Sequence, residues 1–333
     1  MAMNKVILLN ARPVGKPVLS DFKFIEEAMP VAGDGQVLLK TKYVSVDPYL
    51  RGRMNDSESY IPPFELNKPM SSGIVAEVID SKLKGFEKGD FVSGNLEWKE
   101  YQSHSGQGLI KVDPKAADLS AYLGILGMTG LTAYCGLMEI GKPKAGETIV
   151  VSGAAGAVGT VVGQIGKILG CRVVGIAGTD EKVEMLKTKF HFDEAINYKT
   201  TTDMTAAVKA ACPNGVDVYF DNVGGEISDA VLANINRYAR IPVCGAISLY
   251  NNTTKDVGPR IQTTMVIKSA LMQGFIVSVF ADKFQEAIIQ MSTWLKEGKL
   301  TYAETVVEGF DQIPQAFMDL FEGKNEGKMI VKV

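Results

Sequence analysis

The chain has 333 residues, 46% hydrophobic and 22% charged, the composition of an ordinary soluble globular protein with room for about two domains. Its 35 basic and 38 acidic residues leave a net charge of −3 and are interspersed without a basic stripe or acidic tail, which argues against nucleic acid as a partner. No stretch approaches the roughly 18 to 20 uninterrupted apolar residues of a membrane span, and Met1–Asn10 has an apolar run without a signal-peptide cleavage pattern, so no membrane and a cytoplasmic address are expected.

In chain order, Met1–Asn10 reads as a first strand, and short β-rich runs broken by Gly and Pro follow at Val37–Tyr43, Gly73–Ile79, Asp90–Gly94 and Leu109–Val112. This predicts a mostly β domain over 1–124. From Leu126 to about Gly298, strands alternate with helices. The strands are Thr148–Ser152, Arg172–Ala177, Ala195–Asn197, Val216–Phe220, Arg240–Ala246 and Leu271–Val277; the helices include Val158–Leu169, Asp180–Lys189 and Lys283–Glu297. Such alternation is that of a doubly wound parallel sheet, so the fold class is α/β with a second domain over 125–298. The tail has a strand, a helix near Pro314–Glu322 and a last strand, Lys328–Val333. It is too short to bury a core alone, so 299–333 is expected to complete the first domain, with the two domains sharing a tight cleft.

The four cysteines, Cys135, Cys171, Cys212 and Cys244, are far apart, and the two histidines are His104 and His191. No Cys-x-x-Cys pair or Cys/His cluster exists, and a zinc site would need three or four of these six residues to converge, so no metal is expected. Cys135 and Cys171 sit in apolar surroundings and read as small buried thiols.

Glu147–Gly159 is an apolar strand running into the turn Gly153-Ala154-Ala155-Gly156-Ala157-Val158-Gly159, followed by a helical run to Leu169. That context is the one a dinucleotide fingerprint requires: small residues let the backbone approach the pyrophosphate, Gly159 allows close helix-to-strand packing, and the helix N-terminus supplies N–H groups. The usual Gly-x-Gly-x-x-Gly is imperfect, with Ala154 where the first glycine would stand. The competing reading is a purely structural strand-to-helix turn. After the second strand an NAD enzyme places an acid against the ribose 2′-hydroxyl, but here Gly178-Thr179 occupies that place and Asp180 follows as a helix-start acid. Lys182, on the first turn of the next helix, suits a 2′-phosphate, with Tyr198 as a second wall; the plainer alternative for Lys182 is a surface lysine. NADPH is therefore favoured over NADH.

Gly156-Ala157-Val158-Gly159, Asp180-Glu181-Lys182-Val183, Asn197-Tyr198-Lys199, Phe220-Asp221-Asn222-Val223-Gly224-Gly225 and Cys244-Gly245-Ala246-Ile247-Ser248 together resemble zinc-independent medium-chain dehydrogenases/reductases of the prostaglandin reductase and alkenal/curcumin double-bond reductase branch. Val46-Asp47-Pro48-Tyr49-Leu50-Arg51 and Gly323-Lys324-Asn325-Glu326-Gly327-Lys328 extend the likeness over essentially the whole chain. The resemblance implies a GroES-like β-barrel first domain and a Rossmann second domain with the cofactor between them. It further implies that Gly156, Ala157, Val158 and Gly159 touch the pyrophosphate and that Lys182 and Tyr198 take the 2′-phosphate side. Asn222 and the turn Cys244, Gly245, Ala246, Ile247 and Ser248 take the nicotinamide side, and Phe275, Ile276, Val277 and Asn325 complete the pocket. The region near Met70–Ile74 lacks the Cys and His ligands of zinc-dependent relatives. One departure stands out: some reductases of this branch carry an extra tyrosine where this chain has Val266-Ile267-Lys268, so no proton relay is assigned there.

Hydride addition to the β-carbon of an α,β-unsaturated ketone or aldehyde creates an enolate, which requires hydrogen-bond donors more than a nucleophile. Tyr250 follows Ser248-Leu249 where a doubly wound sheet puts its ligands, and Tyr49 and Tyr60 of the first domain are candidates to face it; packing alone is the competing reading for each. Met128 and Thr129 at the hinge are candidates to line the nicotinamide pocket, Met128 equally as core. The expected activity is NADPH-dependent reduction of the C=C bond of such small molecules. The alternatives are a quinone reductase on the same scaffold and a non-catalytic NADPH-binding protein. A homodimer is expected, built through Leu271–Val277 as an open sheet edge.

Overall fold

The computed structural model describes residues 3–333; Met1 and Ala2, at the start of the segment read as the first strand, lie outside the described residues. Contacts divide the chain into two units, one running to Gly124 and resuming over Glu304–Asn325 and Met329–Val333, the other comprising Ile125–Ala303 and Glu326–Lys328. Lys299–Ala303, read from the sequence with the first domain, lie in the second unit. The Gln164 side chain holds them there, its Nε2 donating to the Thr301 carbonyl at 2.9 Å and its Oε1 accepting the Thr301 N–H at 2.8 Å.

The first unit carries β1 (Met3–Leu9), β2 (Phe22–Ala28), β3 (Val37–Ser45), the short helix α1 (Leu50–Arg53), β4 (Ser71–Ser81), β5 (Phe91–Glu97), β6 (Tyr101–His104) and β7 (Ile110–Val112). The second carries α2 (Met128–Cys135), continued by a π-helical turn over Gly136–Gly141, then β8 (Thr148–Ser152), α3 (Gly159–Ile168), β9 (Arg172–Ala177), α4 (Asp180–Thr188) and β10 (Glu194–Asn197). It goes on with α5 (Met204–Ala211), β11 (Val216–Phe220), α6 (Gly225–Leu232), β12 (Ile235–Val243), α7 (Gln262–Lys268), β13 (Leu271–Gly274) and α8 (Phe284–Lys296). The tail adds β14 (Glu304–Glu308), α9 (Ile313–Phe321) and β15 (Lys328–Lys332).

In the first unit a seven-stranded sheet runs β14-β15-β3-β4-β5-β7, with β6 also paired to β3, so the tail strands extend the sheet laid down by the first hundred residues. Alternation sets its faces: in β3, Val37, Leu39 and Thr41 are buried while Leu38 and Lys40 are less so. Its core gathers Ile7, Leu39, Ile74, Trp98, Phe317 and Val331.

The second unit's sheet has the order β10-β9-β8-β11-β12-β13, with parallel pairs throughout. Its chain path reverses between β8 and β11, and such a reversal opens a crevice at the strands' carboxyl ends. All of β8 is buried, as in a strand covered on both faces. Two strands of this sheet differ from their sequence-based bounds by more than one residue. β12 begins at Ile235 and ends at Val243, not Ala246, because the N–H groups of Cys244 and Gly245 turn aside to the Asp221 carbonyl at 2.8 and 3.2 Å. β13 in turn stops at Gly274, not Val277: its pairing with β12 runs from Arg240–Leu271 to Val243–Gly274, and beyond Val243 there is no strand left to pair with. Val277 instead opens a 3₁₀ turn to Lys283. Among the described residues, no helix is long and apolar enough to cross a membrane.

Candidate functional site

The turn after β8 lies at the reversal of the sheet. Gly153 has φ +58°, a conformation glycine adopts without steric cost, which explains why the glycine stands one position before the usual pattern. Ala154 fits in the next position, with its Cβ directed toward Gly175. A Cβ at Gly159 would lie 2.4 Å from the Gly153 carbonyl oxygen and 2.6 Å from the Ala154 Cα, so this glycine closes the turn on itself. Gly163 and Gly166, further along α3, are close-packed as well. Added Cβ atoms there would meet the Phe192 ring at 1.9 Å and the Ile149 side chain at 2.8 Å. No side chain caps the first turn of α3, so Ala157, Val158 and Gly159 could present backbone N–H groups to an anion. The chain returns to this turn near its end: Gly327, at φ +63°, donates its N–H to the Ala155 carbonyl at 2.8 Å and pairs with Gly156.

At the end of β9, Gly178 lies against Tyr198, whose N–H bonds the Ala177 carbonyl at 3.0 Å. The N-cap of α4 is Thr179, accepting the Lys182 N–H at 3.3 Å. Asp180 stands inside the first turn with its carboxylate bound by the Asn197 amide at 2.7 Å, drawn to β10 and away from the role of a ribose acid. Burial lowers the pKa of the half-buried Lys182 ammonium, with Glu326 opposing and Lys199 adding to the shift. A cationic Lys182 and the Tyr198 ring packed over Gly178 could together hold a 2′-phosphate, and the glycine turn a pyrophosphate. The residues thus fit NADPH.

On the other side of the reversal, the turns after β11 and β12 are zipped together. The Ile247 N–H bonds the Asn222 carbonyl at 3.3 Å, the Ser248 N–H the Val223 carbonyl at 3.1 Å, and the Ser248 hydroxyl the same carbonyl at 2.6 Å. Asn222 is pinned to β8, its amide donating to the Ser152 carbonyl at 2.7 Å and its N–H to the Ser152 hydroxyl at 3.0 Å. The Tyr250 hydroxyl folds back to accept the Ala246 N–H at 3.2 Å, over Gly245, where a Cβ would approach it to 2.9 Å. A hydroxyl that accepts in this way keeps its own proton to donate. Burial raises the Tyr250 pKa, the Ala246 amide lowers it, and Cys244 and Asp221 add to the rise. Phe275 packs edge-on to Phe220 at 6.1 Å and near Phe280, against Gly136, where a Cβ would lie 2.4 Å from the ring; Ile276 and Val277 follow. Met128, partly exposed, and Thr129, buried, open α2 in the same unit.

Tyr49, Tyr60 and Asn325 belong to the first unit. Tyr49 caps α1 and its phenol is pushed far up by burial and then by Asp47, with Arg53 opposing, whereas Tyr60 is 61% exposed. Arg53 joins them electrostatically and ties down the segment after Tyr60, lying 3.8 Å over the Phe64 ring and donating to the Pro62 carbonyl at 3.1 Å. The sequence reading passed over Asp221 and Ser152. The signal for both was a polar residue at or directly after the end of a largely apolar strand, Thr148–Ser152 and Val216–Phe220.

Cys135, Cys171 and Cys212 are buried, and the His104 ring accepts the Gly106 N–H at 3.0 Å. Among the described residues, no three His, Cys, Asp or Glu side chains are placed to hold a metal ion.

Two family models match, one described as the N-terminal domain of oxidoreductase over residues 5–112 and one as zinc-binding dehydrogenase over 157–294. The chain is 58% identical to a putative NADP-dependent oxidoreductase, YfmJ, of Bacillus subtilis (strain 168), covering 100% of this chain and 98% of the relative. It is 43% identical to an NADP(+)-dependent 2-alkenal reductase of Nicotiana tabacum, covering 99% and 97%. Among solved structures, CurA from Vibrio vulnificus in complex with NADPH matches with a TM-score of 0.95 at 43% identity, covering 99% of each chain.

Proposed function

Since the chain belongs to the zinc-independent medium-chain dehydrogenase/reductase family, in its prostaglandin and alkenal reductase branch, we propose that it reduces the C=C bond of α,β-unsaturated ketones and aldehydes. The protein is an NADPH-dependent oxidoreductase acting on CH–CH bonds. Gly156, Ala157, Val158 and Gly159 hold the pyrophosphate, and Lys182 and Tyr198 hold the 2′-phosphate. Asn222 and Cys244–Ser248, with Phe275, Ile276 and Val277, serve the nicotinamide end. Bound there, NADPH supplies the hydride that enters the substrate's β-carbon.

The observation that carries the reading is the Tyr250 phenol held at the sheet reversal by the Ala246 N–H, its own proton free to be donated. An enolate oxygen is stabilised by such a neutral donor, whereas an alkoxide from direct carbonyl reduction is handled in related enzymes by a Lewis-acidic metal. No metal-ligating triad stands among the described residues. The α-carbon takes its proton from water. The test supplies NADPH and a medium-chain 2-alkenone and identifies the product. The saturated ketone is expected; the allylic alcohol, or turnover of a naphthoquinone with none of the alkenone, overturns the assignment.

A further inference from the structure

Asp221 directly follows β11 and bridges it to β8, the two strands that flank the sheet reversal. It is 3% exposed, and a single oxygen, Oδ1, accepts the Ser152 hydroxyl of β8 at 3.0 Å, the Tyr219 hydroxyl at 2.9 Å, the Val223 N–H at 3.0 Å and the Gly224 N–H at 2.9 Å. Its carbonyl takes the N–H groups that end β12. None of these partners is a cation, so the carboxylate is held by dipoles alone and its field is not cancelled by a paired charge. That field is felt in the neighbouring turn: burial first and Asp221 second push the Cys244 thiol up to about 12, and Asp221 also pushes up the Tyr250 phenol.

A nicotinamide ring is neutral in NADPH and positively charged in NADP+. Resting on the placement of that ring beside Asn222 and Cys244–Ser248, we infer that Asp221 is an electrostatic positioning residue: it fixes the two turns through its hydrogen bonds, and through its charge it favours the oxidised, cationic ring. The site then follows the charge that develops as hydride leaves, and the negative end is supplied by the fold without contact to the substrate.

Asp221→Asn separates the two roles, since the amide oxygen can still accept the four hydrogen bonds while the charge is gone. Dissociation constants for NADPH and NADP+, measured by calorimetry on the full chain with no acceptor present, give the readout. In D221N the ratio Kd(NADP+)/Kd(NADPH) should rise on the order of tenfold, the effect of one unit charge acting through an effective dielectric constant of about 20. Tyr219→Phe removes one donor from the carboxylate and strengthens its field, so the same ratio should fall by about two- to threefold. An unchanged ratio in folded D221N overturns the inference; so does a Y219F ratio that fails to fall, which answers the question even where D221N does not fold. Wild-type protein that binds neither form would sink the cofactor reading itself, a result distinct from either.

Discussion

A Cβ built on Gly178 would stand 3.0 Å from the hydroxyl of Tyr198, so the place where an NAD enzyme carries its acid is here covered by a phenol. Gly178→Asp should therefore displace the ring and set a carboxylate against the 2′-phosphate, weakening NADPH roughly tenfold or more while sparing NADH. Equal losses for both cofactors in a binding titration would show that the position only maintains local packing.

Lys182→Ala should erode the preference for NADPH over NADH by about 1 to 3 kcal/mol, the scale of a hydrogen bond to a charged group. Unchanged discrimination would make Lys182 a surface lysine.

The same residue gives the site a pH dependence with a defined sign. The free Lys182 ammonium sits below the ordinary lysine range, chiefly through burial, and a bound phosphate stabilises its protonated form. NADPH binding thus takes up a proton where free Lys182 has lost it, and NADPH affinity falls as pH rises toward about 10, beginning before an exposed lysine would titrate. NADH, with no 2′-phosphate, should show little of this slope; parallel pH profiles for the two cofactors would contradict it.

Tyr250→Phe removes the acceptor of the Ala246 N–H and, on the proposed reading, a donor to the substrate oxygen. We expect kcat/KM to drop roughly 10- to 10³-fold, with Kd for NADPH little changed. Full activity with the C=C bond still reduced would remove Tyr250 from the chemistry and leave the reaction standing. Exhaustive chelation should leave wild-type activity intact, whereas stoichiometric zinc lost together with activity would contradict a metal-free site.

A homodimer through β13 remains our proposal for the assembly. β13 is the outer strand of its sheet, Leu271 on it is 49% exposed, and Val266 and Ile267 on the preceding α7 are 78% and 67% exposed. Such an edge is blunted by pairing with a second copy. Sedimentation at micromolar concentration should give a dimer, and Met272→Pro, which removes a ladder donor, should weaken it. A wild-type monomer would refute the proposal.

What was legible in the sequence was local. Thr148–Ser152, Arg172–Ala177 and Val216–Phe220 keep the bounds their apolar runs suggest, and the glycine turn before α3 is where strand and helix signals meet. These features depend on residues a few positions apart, whose propensities and turn chemistry can be read directly. The resemblance carried the family and its cofactor for the same reason, since short motifs in order survive without knowledge of contacts. What only the tertiary structure decided involves partners far apart in the chain. Ser152 and Asp221 meet across 69 positions, Gln164 and Thr301 across 137. β12 ends at Val243 because the Asp221 carbonyl captures the next two amides, and β13 ends with it. Periodicity marks which strand is buried, but where a strand stops, and which polar group bridges it to its neighbour, is set by hydrogen bonds that exist only once the sheet has formed.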